Sequence, residues 1–410
     1  MDIFPLLSLL IVLSAAFAYL NFRFLKLPNA IGLMLVSLLF SLAIIAVSYF
    51  IPSLKDHVEV LLNNINFSEL LLEVMLSFML FAGAIHIKFK DLKAEKLSIM
   101  LFSTLSVIIS TIIVGYASFY LLHLFNLEVT LIQCMLFGSL ISPTDPIAVL
   151  SILKTAGVTK SLETKIAGES LFNDGVAVVV FITILQLAKP NADVSVLSIL
   201  TVFGQEAIGG IILGAIVGWI GYKFIASIDS YNVEVLITLA VVMGGYSLAH
   251  YTHVSGPLAM VIAGLITGNH GKTLGMSDIT AEYIDKFWEL LDEILNALLF
   301  VLIGLELLII QVNYVIVLVA TIIIFVVLLT RYISVYIPSI LIRLKEEISH
   351  KTIIILTWGG LRGGISIALA LSIPNELGKE IWVTITYIIV CFSILVQGMS
   401  IGKLVTLLKK

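Results

Sequence analysis

The 410 residues are 60% hydrophobic and only 12% charged, with a net charge of −4 and a mean hydropathy of +1.13, which lies outside the range of a water-soluble globular chain. The composition excludes a soluble catalytic domain and makes nucleic acid an improbable partner. Cys134 and Cys391 fall inside apolar runs and read as packing thiols rather than a disulfide or metal site, so no enzyme activity and no cofactor is expected.

Cutting the chain where charges and Pro/Gly/Asn clusters interrupt the apolar runs predicts an all-α, polytopic membrane protein of about thirteen spans, each near ~20 residues. Their extents are 3–22, 29–50, 69–87, 97–123, 130–153, 163–188, 196–225, 232–251, 255–270, 284–310, 313–342, 351–373 and 381–406. The first begins at Ile3 without a basic n-region and reads as a retained span. Arg23/Lys26, Lys88/Lys90/Lys93/Lys96, Lys154/Lys160/Lys165, Lys223, Lys272 and Arg343/Lys345/Lys351 fall in alternate loops, which the positive-inside rule makes cytoplasmic. The intervening loops hold Lys55, Lys189 and Lys379 singly or no basic residue. The N-terminus is then outside and the C-terminus cytoplasmic. No soluble domain is visible, so residues 1–410 read as a single transmembrane unit.

Two spans are interrupted. The fifth contains Ser142-Pro143-Thr144-Asp145-Pro146, where each proline removes a backbone donor and clashes with the preceding turn. The twelfth contains Gly359-Gly360-Leu361-Arg362-Gly363-Gly364, whose glycines permit unwinding and close backbone approach. These interruptions occupy corresponding places in oppositely oriented halves, the pattern of an inverted repeat that builds an ion site at the bilayer midplane.

Span six carries Gly168-Glu169-Ser170-Leu171-Phe172-Asn173-Asp174-Gly175. An ionised carboxylate at midspan costs roughly 2.5–3.5 kcal/mol on insertion scales and demands a partner or a function. Helical spacing places Ser170 one turn before Asp174 and Glu169 one turn before Asn173, giving one polar face toward the carbonyls freed in span five. A small hard cation such as Na⁺ takes oxygen ligands, which Asp174, Ser170 and Thr144 supply. Removing a carboxylate from water disfavours its charged form, so protons and cations compete for the same oxygens. Asp145 is placed to cap the second half of span five. Arg362 is a natural partner for Glu169 or for the facing carbonyl ends. Glu73 is either an accessory ligand or an interfacial residue. Arg331 snorkels by default, while Asn296, Glu306 and Glu234 read as span-end or packing residues. His250 and His253 flank a turn on the outside.

Together, Ser142–Pro146 and Gly168–Gly175 resemble the Na⁺/H⁺ antiporters of the monovalent cation:proton antiporter-1 family. Phe81-Ala82-Gly83-Ala84, Leu302-Ile303-Gly304-Leu305 and Gly359–Gly364 are similar to further segments of that family. The resemblance implies a thirteen-helix homodimer with two crossed, broken helices. Spans 4–6 and 11–13 would form the ion-binding core, and spans 1–3 and 7–10 part of a dimerisation domain, moving in an elevator-like cycle. It implies that Asp174 binds the ion and carries the proton, with Thr144 and Ser170 as coordinating positions. Asn173 is the asparagine of the electroneutral branch, and Glu169 and Arg362 are a supporting ion pair. One Na⁺, or Li⁺, would exchange for one H⁺. Ala82 stands where many relatives carry an acid, so an auxiliary ligand is either missing or replaced by Glu73, and the lack of a long tail points to a prokaryotic inner membrane. A K⁺/H⁺ or broader monovalent-cation exchanger of the same fold is the alternative. A channel would need polar residues along the whole pathway, whereas here they gather at midspan.

Overall fold

The computed structural model describes residues 3–51, 67–155, 157–189, 195–271, 275–310, 313–342 and 348–409. Lys55, Lys272, Arg343 and Lys345, used above to orient the chain, lie outside these residues. Within the described residues the apolar runs form helices, the solution that satisfies every backbone N–H and C=O without water. In chain order these are α1 (Ile3–Leu20), α2 (Asn29–Ser48), α3 (Leu76–Ile85), α4 (Leu105–Leu124), α5 (Leu131–Leu140), α6 (Ile147–Thr155), α7 (Lys160–Leu187) and α8 (Val196–Ile225). They continue as α9 (Tyr231–Thr252), α10 (Gly256–Ile266), α11 (Asp278–Glu306), α12 (Tyr314–Ile342), α13 (His350–Trp358), α14 (Gly364–Leu371), α15 (Lys379–Phe392) and α16 (Gly398–Lys409). Eight helices among the described residues are long and apolar enough to cross a membrane, with shorter apolar ones at Leu70–Ile85 and Leu131–Leu140.

Helix starts follow local chemistry. Thr130 and Gln133 form a capping box at α5, and Thr159, Ser195, Ser255, Ser277 and Ser349 accept backbone N–H bonds at the starts of α7, α8, α10, α11 and α13. Such caps satisfy donors that the first turn leaves unpaired. One boundary departs from expectation. The tenth span begins at Asp278 rather than 284, because its first turns are helical but acidic, and hydropathy alone reads them as loop.

Both interruptions are present. Residues 141–146 separate α5 from α6, and residues 359–363 separate α13 from α14. The two breaks cross. Asp145 N–H donates to the Leu361 carbonyl at 2.8 Å, and the pair forms an isolated antiparallel bridge. Around this crossing α5 packs on α4 and α7, and α12 packs on α4, α13 and α15. Stacking of Phe137 on Trp382, with ring centroids 5.2 Å apart, ties α5 to α15.

Candidate ion-binding site

Thr144 lies in the first break, and α7 runs past it with the polar face that its spacing predicts. Ser170 Oγ donates to the Thr144 carbonyl at 2.5 Å. Asn173 Nδ2 donates to Thr144 Oγ1 at 2.8 Å, and Thr144 N–H donates back to Asn173 Oδ1 at 3.5 Å. The asparagine therefore fixes both the hydroxyl and the peptide of Thr144. Because the Ser170 proton is committed to that carbonyl, the lone pairs of its oxygen remain available as a ligand.

Asp174 follows one turn after Ser170 on the same face. It is 7% exposed and lies within electrostatic range of Asp145. Among the described residues no Lys or Arg forms an ion pair with it. A buried carboxylate without a cation beside it, next to hydroxyl and carbonyl oxygens, is a donor set suited to a hard monovalent ion or to a proton.

The remaining charges attend the four broken helix ends. Arg362 Nη1 donates to the carbonyls of Ser142 and Pro143 at 2.7 and 2.9 Å, just past the C-terminus of α5, where a helix dipole is negative. Arg331 Nη2 donates to the Leu356 carbonyl at 3.3 Å, near the end of α13. The Asp145 side chain lies against Gly363, immediately before α14, and a Cβ on Gly363 would collide with it. Its carboxylate thus faces the positive end of α14. Glu169 and Pro146, which precedes α6, line one small void together with Thr144, Ser170, Arg331 and Gly360. The void measures about 10 Å³, the size of roughly one water.

The chain matches the family described as "Sodium/hydrogen exchanger, transmembrane" over residues 11–407. It belongs to that family. It is similar to the Na(+)/H(+) antiporter NhaP of Pseudomonas aeruginosa, with 48% identity across 98% of this chain and 96% of the relative. It is also similar to the Na(+)/H(+) antiporter NhaH of Halobacillus aidingensis, with 32% identity across 98% and 97%. Its fold matches the sodium proton antiporter MjNhaP1 from Methanocaldococcus jannaschii at pH 8, with a TM-score of 0.78, 22% identity and full coverage of both chains.

Within this exchanger fold, three sequence expectations are corrected. The partner of Glu169 is Arg331, not Arg362: Arg331 Nη2 lies 2.7 Å from Glu169 Oε1. This is a charge contact rather than an aligned hydrogen bond. Arg331 does not snorkel, because Gly360 leaves room for its guanidinium, which a Cβ there would strike at 2.6 Å. Arg362 is drawn instead to the carbonyl ends of the first break. Across the crossing, the antiparallel bridge at Leu361 carries Asp145 to Gly363. Glu73 is not brought to the site. It is exposed and within electrostatic range of Tyr246 on α9, while Gly83 is the third-span residue that meets Leu171 of α7. Glu73 stands nearly three turns before Gly83, roughly 15 Å along the axis. The missed residue, Arg331, had one sequence signal: a cation deep within a long apolar run.

Proposed function

We propose that this exchanger-family chain is a secondary antiporter that moves Na⁺, and Li⁺ with it, against H⁺ by alternating access, one cation for one proton. The observation that carries the reading is Asp174: a buried carboxylate with no paired cation among the described residues, one turn from a serine whose hydroxyl rests on the carbonyl freed by the broken helix. Na⁺ takes the oxygens of Asp174, Ser170 and Thr144; a proton on Asp174 displaces it. Asn173 organises Thr144 without carrying a proton. Glu169–Arg331, Arg362 and Asp145 hold the crossed breaks in register.

On this reading the chain sits in a cell membrane, the inner membrane of a prokaryote, with the N-terminus outside and the C-terminus cytoplasmic. It works as a homodimer, with spans 4–6 and 11–13 as the moving core and spans 1–3 and 7–10 contributing to the dimerisation domain. The names and full-length similarity of the relatives support Na⁺ as substrate. The test uses the full chain in vesicles with an acidic interior and a pH-sensitive dye, to which Na⁺, Li⁺ or K⁺ is added. Dequenching by Na⁺ that disappears in Asp174→Asn supports the reading; dequenching that persists in that variant refutes it. A response to K⁺ as strong as to Na⁺ transfers the assignment to a broader monovalent-cation exchanger.

A further inference from the structure

α11 carries Asp278, Glu282, Asp285, Glu289 and Asp292 at spacings of four and three residues, which places them along one helix face. Midway along this row Asp285 meets His86, the residue after α3, with Oδ1 and Nδ1 3.1 Å apart and both side chains about two-fifths exposed at 42% and 38%. The row runs inward from there to Asp292, which is half-buried. One turn past Asn296, Leu299 of α11 lies against Gly364 at the start of α14, next to Gly363, on which the Asp145 side chain rests; Asp292 and Asp174 are each within electrostatic range of Asp145. α11 therefore runs from the exposed pair of His86 and Asp285 toward the crossing.

A second observation sets Asp292 apart from a solvated acid. One turn deeper, Asn296 Nδ2 donates to the Asp292 carbonyl at 2.9 Å. Asn296 is 7% exposed, and its Oδ1 is buried with no hydrogen-bond donor among the described residues. A buried amide oxygen without a donor is unfavourable unless something else supplies positive charge. Beside a carboxylate, the group that meets both oxygens is a cation rather than an anion or an apolar ligand.

We propose that Asp292 and Asn296 form a way station for the transported monovalent cation, between the mouth at His86 and Asp285 and the exchange centre at Asp174. The inference rests on Asp174 as that centre and on the orientation given above, which makes the mouth cytoplasmic. A carboxylate and an amide oxygen replace part of the ion's hydration shell before it reaches Asp145, so the step from water to the buried site is divided in two. Within the row Lys286 pairs with Glu282, at 2.6 Å and toward the exposed end, rather than with Asp292.

The test measures the Na⁺ dependence of exchange in right-side-out and inside-out vesicles for the wild type, Asp292→Asn, Asp292→Glu and Asn296→Ala. Loss of one carboxylate contact should raise KM for Na⁺ offered at the cytoplasmic face by roughly three- to tenfold in Asp292→Asn, with Vmax retained. Asn296→Ala should shift KM in the same direction by less, and Asp292→Glu should restore it. From the opposite face KM should not move. A KM unchanged in both neutral variants overturns the proposal, as does an equal shift at both faces or a loss of Vmax at constant KM. Asn296→Ala and Asp292→Glu keep the test decisive if Asp292→Asn does not accumulate in the membrane. Persistence of exchange in Asp174→Asn would overturn the central site instead, so the two failures are distinguishable.

Discussion

Replacing Arg331 with Met removes the cation that, among the described residues, is in contact with Glu169, a side chain 2% exposed. Breaking a buried ion pair from one side costs about 3–5 kcal/mol, because the surviving charge is left desolvated. Loss of the bond from Arg331 Nη2 to the Leu356 carbonyl adds about 1 kcal/mol. Removing both charges in Arg331→Met/Glu169→Leu should recover about 2–4 kcal/mol of this, since a packed apolar pair is often as stable as a buried ionic one. The assay is a double-mutant cycle on unfolding in mixed micelles, repeated with Arg362→Met in place of Arg331→Met. Coupling to Glu169 should be large for Arg331 and within about 0.5 kcal/mol of zero for Arg362. A cycle in which Glu169 couples to Arg362 and not to Arg331 would refute the pairing. That result would restore the ion pair that the family resemblance implies.

Gly363→Ala should slow exchange severely and destabilise the chain by about 1–3 kcal/mol, because its Cβ meets the Asp145 side chain; wild-type transport and unfolding in this variant would show that the crossing tolerates displacement. If one proton and one cation compete for Asp174, apparent KM for Na⁺ should rise about tenfold for each unit fall in pH across the acidic limb. Initial rates at several Na⁺ concentrations and pH values measure the slope, and a KM independent of pH would rule out shared oxygens. In Asn173→Asp the bond donated to Thr144 Oγ1 is lost and a second buried charge is added. Exchange should become slower and respond to a potassium-diffusion potential; rates insensitive to that potential would contradict the one-for-one charge count.

Much of the architecture was legible because two unlike signals coincide. Lipid forces long apolar runs into helices, and Pro143, Pro146 and the glycines from 359 to 364 mark where helices cannot continue. The face bearing Glu169, Ser170, Asn173 and Asp174 is a matter of local periodicity, and the observed bonds from Ser170 and Asn173 to Thr144 lie on it. What hydropathy obscured is of another kind. The start of α11 was lost because acids on one helical face lower the average that defines a span. The partner of Glu169 depends on how α12 is rotated against α7, and no local pattern encodes that rotation. Gly360 held the clue, since an absent side chain is room for someone else's. Glu73 shows the converse: an acid in the expected span, on a turn that never reaches the site.

On the proposed reading, charge balance at the crossing accounts for one ion at a time. Arg362 and Arg331 meet the carbonyl ends of α5 and α13, while Asp145 and Glu169 stand by the amide ends of α14 and α6. Two cations thus meet two negative dipole ends, and two carboxylates meet two positive ones. Summed over the crossing, these four side chains carry no net charge, and neither do the paired dipole ends. Asp174 is left over. A single uncompensated carboxylate in a low-dielectric span is driven to acquire one positive charge. On the proposed reading H⁺ and Na⁺ would both supply it, so the loaded site would be neutral with either ion, and neither crossing would work against a buried charge. An asparagine at 173 keeps the residue at one. The same balance explains why Glu169 needs Arg331: without that guanidinium the crossing would hold a second unmatched carboxylate, and a single bound ion would no longer neutralise it.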